Sequence, residues 1–359
     1  MKILHVVGAR PNFMKAAPVM RALSCHARIY QVLVHTGQHY DVNMSDVFFG
    51  QLGMSEPDIN LGVGSSSHAQ QTAEIMMRFE PVLLEQKPDL VLVYGDVNST
   101  VAAALVCGKL LIPVGHVEAG LRSFDRTMPE EINRLLTDQI ADLLFTPSTD
   151  GDENLLREGI APEKIHRVGN VMIDTLIRLL PATEKCEVLS RLGVEPGSYG
   201  LVTLHRPSNV DDPSMLIQVV HALQEISHKL PLIFAVHPRT RDRMQALGLK
   251  LESPYLHLVE PLGYIDFLPL QRWAKLVITD SGGVQEETTY LGVPCLTVRE
   301  NTERPITVTL GTNILVGRDM ERLQREVEAI LDGRAKRGRI PPLWDGHAGE
   351  RIAQVIVSR

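Results

Sequence analysis

Ile278-Thr279-Asp280-Ser281-Gly282-Gly283-Val284-Gln285-Glu286-Glu287 decides how this chain folds. Leu276 to Thr279 is a short apolar run that reads as a buried strand, Ser281-Gly282-Gly283 turns the chain, and a helix is expected from near Val284. A helix start gathers about half a positive charge from its free amides, and glycines let the backbone come close to a ligand. The turn therefore reads in two ways. It is an ordinary strand–helix connection, or it is a phosphate seat with Glu286 and Glu287 in the first turn to take hydroxyls such as a ribose diol.

Outward from this turn, short apolar runs alternate with helical patterns. Strands are expected at Ile3–Gly8, Tyr30–Thr36, Leu90–Gly95, Val114–Val117 and Leu143–Thr146, with helices near Phe13–Leu23, Ala69–Glu85, Ser99–Lys109 and Glu130–Ala141. A second series places strands at Gly200–Leu204, Leu232–Val236, His257–Val259, Leu276–Thr279, Cys295–Val298 and Asn313–Val316. Its helices fall near Ser214–His228, Arg239–Leu247, Phe267–Trp273 and Val284–Leu291. Val/Ile/Leu-rich strands joined by helical crossovers predict the α/β class, with parallel sheets covered on both faces. Two series predict two doubly wound domains, 1–169 and 172–343, linked near Gly169-Asn170-Val171. Ligands of open α/β sheets sit beyond the C-terminal strand ends, so a cleft between the domains is expected.

Composition narrows the function. With 359 residues there is room for two domains, and 44% hydrophobic with 22% charged residues is ordinary for a soluble globular chain. A formal net charge of −7 speaks against nucleic acid or an anionic membrane as partner. The four cysteines, Cys25, Cys107, Cys186 and Cys295, have no CxxC spacing and read as free thiols of a reducing cytoplasm. The apolar run at Met1–Gly8 is too short for a signal peptide, and Gly108, Lys109 and Pro113 interrupt the longest apolar stretch, so a cytoplasmic enzyme is expected.

Several strand ends carry chemistry. Gly8-Ala9-Arg10-Pro11-Asn12-Phe13-Met14-Lys15 is not GxGxxG, so no dinucleotide is expected; Arg10 and Lys15 are either solvated cations or neutralise a phosphate. Asp96 follows a strand in Gly95-Asp96-Val97-Asn98-Ser99-Thr100, either capping the next helix or acting on a substrate. Glu118, in His116-Val117-Glu118-Ala119-Gly120-Leu121-Arg122, ends a buried strand, where an unpaired charge is unfavourable, so a functional carboxylate is the better reading. In Pro129-Glu130-Glu131-Ile132-Asn133-Arg134, Glu130 and Arg134 are spaced for a surface ion pair, or Glu130 joins the other two acids. His205-Arg206 and His237-Pro238-Arg239 each put a histidine and an arginine at a strand end, and Glu303-Arg304-Pro305 adds a cation in a loop. HxH and HExxH spacings are absent, so no metal is expected.

Taken in order, Gly8–Lys15, Gly95–Thr100, His116–Arg122, Pro129–Arg134, His205-Arg206, Asp280–Glu287 and Thr302-Glu303-Arg304-Pro305 resemble the non-hydrolysing UDP-N-acetylglucosamine 2-epimerases over almost the whole chain. The resemblance implies two Rossmann-like domains in the glycosyltransferase-B arrangement. It also implies a last helix near Gly346–Ser358 returning to the first domain, a homodimer, a UDP-sugar substrate, no cofactor, and a place in surface polysaccharide synthesis. By motif it makes Asp96, Glu118 and Glu130 the acid/base carboxylates and His205, close to the diphosphate, a further catalytic residue. Arg10, Lys15, Arg134, His237, Ser281, Gly282, Gly283, Glu287 and Arg304 become substrate ligands, with Phe267 where the base rests. Asn12, Pro207-Ser208-Asn209 and Ile306 depart from the family's pattern, which bears on the exact sugar. Some members are activated by their own substrate through a loop after the second strand. Here Thr36–Val42 keeps Gln38-His39, but Tyr40 and Asp41 replace positions that resemble Arg and Gln, and Asp41 would repel a second diphosphate. Hyperbolic kinetics are therefore expected. The competing readings are an epimerase of a 2,3-diacetamido or uronate UDP-sugar, a glycosyltransferase of the same fold, a hydrolysing epimerase and a non-catalytic nucleotide-sugar binder.

Overall fold

The computed structural model describes residues 1–38, 46–184, 187–249 and 253–359, the side chains of 46–48 excepted. It divides into two compact units, Met1–Arg178 with Pro342–Arg359, and Leu179–Pro341.

The first unit is built on seven parallel strands: β1 (Lys2–Val7), β2 (Tyr30–His35), β3 (Ile59–Asn60), β4 (Leu90–Tyr94), β5 (Val114–Val117), β6 (Leu143–Thr146) and β7 (Ile165–Arg167). Their order is β3-β2-β1-β4-β5-β6-β7. Leu4, Val6, Val32, Val34, Val91 and Val93 share a core cluster with Ile75, Phe79 and Leu83 of the helix His68–Gln86. Each such side chain contributes about 1.5–3 kcal/mol when fully buried. β3 and β7 were not expected from the sequence. Each is a two- or three-residue edge strand of mixed polarity, Ile59-Asn60 and Ile165-His166-Arg167, so no apolar run announces it.

The second unit holds β8 (Gly200–Thr203), β9 (Leu232–Ala235), β10 (Leu256–Val259), β11 (Leu276–Thr279), β12 (Cys295–Thr297) and β13 (Asn313–Leu315), all parallel, in the order β10-β9-β8-β11-β12-β13. Helices in both units begin where proline stands at the first position, at Pro129, Pro213 and Pro238, one residue ahead of the polar pattern. Proline lacks only an amide that the helix start leaves unpaired anyway.

The two units part inside the helix Val171–Thr183 rather than in the turn before it. Thr175 Oγ1 donates to the Met14 carbonyl at 2.6 Å, and the Asp174 carboxylate accepts from the amides of Ala348 and Gly349 at 3.1 and 2.7 Å. Asp174 thus caps the last helix, Ala348–Val357, which packs on the helix Arg10–Ser24 of the same unit. Burial pushes its carboxyl up to about 6 despite those amides.

Each sheet changes winding direction once, between β1 and β4 and between β8 and β11. At such a point the flanking connections diverge and open a crevice beyond the strand ends, where ligands of this architecture bind. The candidate residues gather there in each unit.

Candidate active site

In the first unit the end of β4 turns at Gly95, with φ +65°. A side chain there would lie 2.7 Å from Lys15 Nζ and 3.1 Å from Glu118 Oε2. The bare turn therefore admits the ion pair that Lys15 and Glu118 make across it, both side chains being buried. Lys15, read from sequence as either a solvated cation or a phosphate ligand, is buried and is first of all the partner of Glu118. That pairing answers the charge problem posed by a carboxylate at a buried strand end. Glu118 itself has φ +74°, a left-handed conformation for a residue with a side chain. Such backbone strain, about 1–3 kcal/mol, persists where surrounding structure enforces it and clusters at functional sites. Here the Phe145 carbonyl on β6 enforces it by accepting from the amides of both Glu118 and Ala119.

Asn12, a departure from the family's pattern, joins the two strands at the switch point. Its Oδ1 accepts from the amides of Gly8 and Ala9 at 3.2 and 2.9 Å, and its Nδ2 donates to the Tyr94 carbonyl at 2.8 Å. Arg10 is the first residue of the helix that follows.

Asp96 is half-buried, and Arg134 Nη1 donates to its carboxylate at 3.3 Å while Asn133 Nδ2 donates to its backbone carbonyl at 2.9 Å. Arg134 is buried, so it is neither a surface cation nor the partner of Glu130; its second ion pair, at 3.4 Å, is with Glu131. Glu130 is half-buried at the start of the same helix and makes no ion pair among the described residues. Glu131 was missed from sequence. It is buried and accepts from Ser123 N and Oγ, both at 3.0 Å, and from Phe124 N at 2.9 Å, fixing the loop that follows β5.

In the second unit His205 follows β8, and its Nδ1 lies 3.1 Å from Asp280 Oδ1 at the end of β11. Asp280 also accepts from the amides of His205 and Arg206 and from Asn209 Nδ2. Burial alone would raise its carboxyl, but His205 and these donors outweigh it and hold it below the ordinary value. Asp280, unassigned in the sequence reading, therefore aims the histidine. The rings of His205 and His237 lie 5.7 Å apart. Lost hydration, His205 and Arg239 together lower the His237 pKa.

The glycine turn begins its helix earlier than expected, at Gly282, with Ser281 as N-cap. Ser281 N donates to Thr279 Oγ1 at 3.0 Å. A side chain on Gly282 would strike Arg304 Nη1 at 2.4 Å, whereas one on Gly283 would meet nothing within 4 Å. Gly282 thus admits the arginine, and Gly283 is the member of the turn facing open space. Arg304 is buried, paired with Glu303 and, through Nε at 2.9 Å, with Glu286. Glu286 is committed to that pair instead of standing ready for a ribose. Burial would raise the Glu303 carboxyl, but Arg304, Arg299 and Arg206 hold it well below the ordinary value. Glu287 remains: Tyr264 Oη donates to it at 2.8 Å, and burial pushes its carboxyl up to about 7 against that hydrogen bond. Phe267 is half-buried against the cluster of Tyr199, Leu270 and Val284.

His39, Tyr40, Asp41 and Val42, on which the expectation of hyperbolic kinetics rests, lie outside the described residues. Gln38, just before them, is buried, and its Oε1 accepts from Ser99 N at 3.0 Å and Ser99 Oγ at 2.7 Å.

A family model described as UDP-N-acetylglucosamine 2-epimerase matches residues 21–357. The chain belongs to this family. The UDP-N-acetylglucosamine 2-epimerase of Methanococcus maripaludis is 45% identical over 99% of this chain and 98% of its own. The UDP-2,3-diacetamido-2,3-dideoxy-D-glucuronate 2-epimerase of Pseudomonas aeruginosa is 43% identical over 99% of both. The crystal structure of Methanocaldococcus jannaschii UDP-GlcNAc 2-epimerase in complex with UDP-GlcNAc and UDP superposes with a TM-score of 0.92 at 45% identity, covering 100% of each chain. A lipopolysaccharide outer core galactosyltransferase, 13% identical with a TM-score of 0.57, shares the fold alone. The α/β class with two Rossmann-like sheets and the family resemblance expected from sequence are both borne out. No helix among the described residues is long and apolar enough to cross a membrane.

Proposed function

We propose that this chain interconverts UDP-N-acetylglucosamine and UDP-N-acetylmannosamine by elimination and re-addition of UDP. The C2–H of a 2-acetamido sugar has no adjacent carbonyl to stabilise a carbanion. The accessible route lets the C1–O bond break, its electron pair leaving with UDP, while a carboxylate takes the C2 proton and the C–H pair becomes the C1=C2 bond of a glycal. UDP then adds back as an acid protonates C2 on the other face. The observation that carries this reading is the buried, strained Glu118 on Lys15 beside Asp96 on Arg134, at one sheet's switch point. The names of the relatives support it. In deuterated water, deuterium enters C2 of substrate and product; product that fully retains the C2 hydrogen sinks the elimination route. The Pseudomonas aeruginosa relative favours one second reading, a 2,3-diacetamido uronate substrate, and a nucleotide-sugar panel in the same proton NMR assay decides between them.

The titration of Glu287 gives this reading a pH signature. An ionised carboxylate is the better acceptor from a ribose diol, so affinity for UDP-N-acetylglucosamine, whose diphosphate diester does not titrate near neutrality, rises between pH 6 and 8 through the value of about 7. The opposite sign holds for folding. A folded-state value above the ordinary 4.5 contributes stability that is complete in acid and lost as pH rises through about 7. Calorimetry from pH 6 to 8 checks the binding, and Glu287→Gln flattens the slope; a wild-type affinity independent of pH removes Glu287 from the diol.

We also propose a homodimer through the helices His68–Gln86 and Pro129–Ile140. In support, Met77 and Leu84 on the first, and Ile132 and Leu136 one turn apart on the second, are exposed. A cavity of about 480 Å³ lined by Ala69, Met76, Pro129 and Ile132 lies between these helices. Ile132→Asp is expected to halve the mass seen by light scattering; a monomeric wild type overturns the proposal.

A further inference from the structure

We propose that Asp138 is a positioning residue that sets the turns bearing Asp96 and Glu118 through His116 and Gly120. The proposal rests on the reading of those two carboxylates as proton carriers. His116 lies in β5, two residues before Glu118, and is fully buried. Its Nδ1 is 2.6 Å from Asp138 Oδ1, and its Nε2 is 2.8 Å from the carbonyl oxygen of Gly95, the residue before Asp96. Asp138 Oδ2 accepts from the amide of Gly120, two residues after Glu118, at 3.1 Å. One carboxylate on the helix Pro129–Ile140 thus reaches both catalytic turns, one through an imidazole and the other directly.

The Glu118 turn in particular needs such a hold. Gly95, Glu118 and Gly120 all have left-handed backbone, with φ of +65°, +74° and +81°. The glycines adopt it freely, but Glu118 carries a side chain, and its conformation survives only where neighbours over-determine it. The same helix also grips Asp96 through Asn133 on its carbonyl and Arg134 on its carboxylate. The charges close on themselves: Asp138 lies 2.7 Å from Arg122 Nη2, which Glu158 also holds at 2.6 Å. Burial would raise the Asp138 carboxyl, but His116 and Arg122 hold it below the ordinary value, as an acceptor. With its charge satisfied inside the cluster, the carboxylate acts by geometry, and no sequence spacing pointed to it.

Two substitutions at His116 isolate that geometry in the full-length enzyme. The longer amide of His116→Gln can still donate to the Gly95 carbonyl, whereas His116→Asn stays near Asp138 and falls short of it. Misplacing a catalytic group by about 1 Å can lower a rate about a hundredfold. His116→Asn is therefore expected to lose about a hundredfold in kcat, with KM and the UDP dissociation constant within about threefold of wild type, and His116→Gln to recover at least about tenfold of the loss. Asp138→Ala is expected to match His116→Asn in kcat; if thermal melting shows it unfolded, the His116 pair still decides. Equal kcat in the two His116 variants, or a loss confined to KM, overturns the positioning role. Asp96→Asn measured alongside keeps the two ideas apart: if it turns over normally, the carboxylate reading fails and takes this proposal with it. If Asp96→Asn is inactive and the His116 variants are equal, only the proposal fails.

Discussion

Asp96→Asn, Glu118→Gln and Glu130→Gln are each expected to lose about a hundredfold or more in kcat, the scale of lost general acid–base catalysis, with UDP affinity close to wild type. The three differ in what else they disturb. Glu130 makes no ion pair among the described residues, so a fall in kcat there is hard to assign to lost structure. Asp96→Asn leaves Arg134 its contact with Glu131. Glu118→Gln strands the buried Lys15 ammonium, and breaking a buried pair by removing one partner typically costs about 3–5 kcal/mol. Its melting temperature should therefore fall while those of the other two stay near wild type. Stopped assays that score glycal and UDP as well as epimer show which half-reaction each variant retains. Near-normal turnover in all three would falsify the assignment.

Arg304→Ala is expected to weaken UDP binding at least about tenfold, from a charged hydrogen bond of about 1.5–3 kcal/mol, and also to destabilise the second unit by about 3–5 kcal/mol. The second effect follows from the burial of Arg304 between Glu303 and Glu286, whose charges it offsets. Glu303 keeps Arg299 at 2.7 Å. The arginine variant alone therefore cannot separate binding from folding. Gly283→Val can, because a Cβ at Gly283 has no neighbour within 4 Å, so the added side chain is directed into the space assigned to the diphosphate. Calorimetry paired with thermal melting is expected to show weak UDP binding in both variants and a lowered melting temperature only in Arg304→Ala. Unchanged UDP affinity in Gly283→Val would move the diphosphate to another part of the unit.

The sequence alone determined the architecture and which polar residues stand at its strand ends. Runs such as Leu90–Val93 and Leu276–Ile278 are apolar throughout because strands of a covered parallel sheet are buried on both faces, and that pattern is local. The polar residue after each run is equally local, so Asp96, Glu118, His205 and Ser281 could be placed at strand ends without a structure.

Pairing is not local, and there the tertiary structure decided. Lys15 and Glu118 are 103 residues apart, and only the side-by-side placement of β1, β4 and β5 makes them partners. Glu130 and Glu131 are neighbours of one chemical type. Successive helix positions point about 100° apart, so one is buried on Ser123 and Arg134 while the other is left half-exposed at the helix start. Arg304 reads as a loop cation, and Glu286 is indistinguishable from Glu287 until packing turns one toward the arginine and the other toward Tyr264. A sequence records which charges exist; which of them cancel depends on distances that only the folded sheets define.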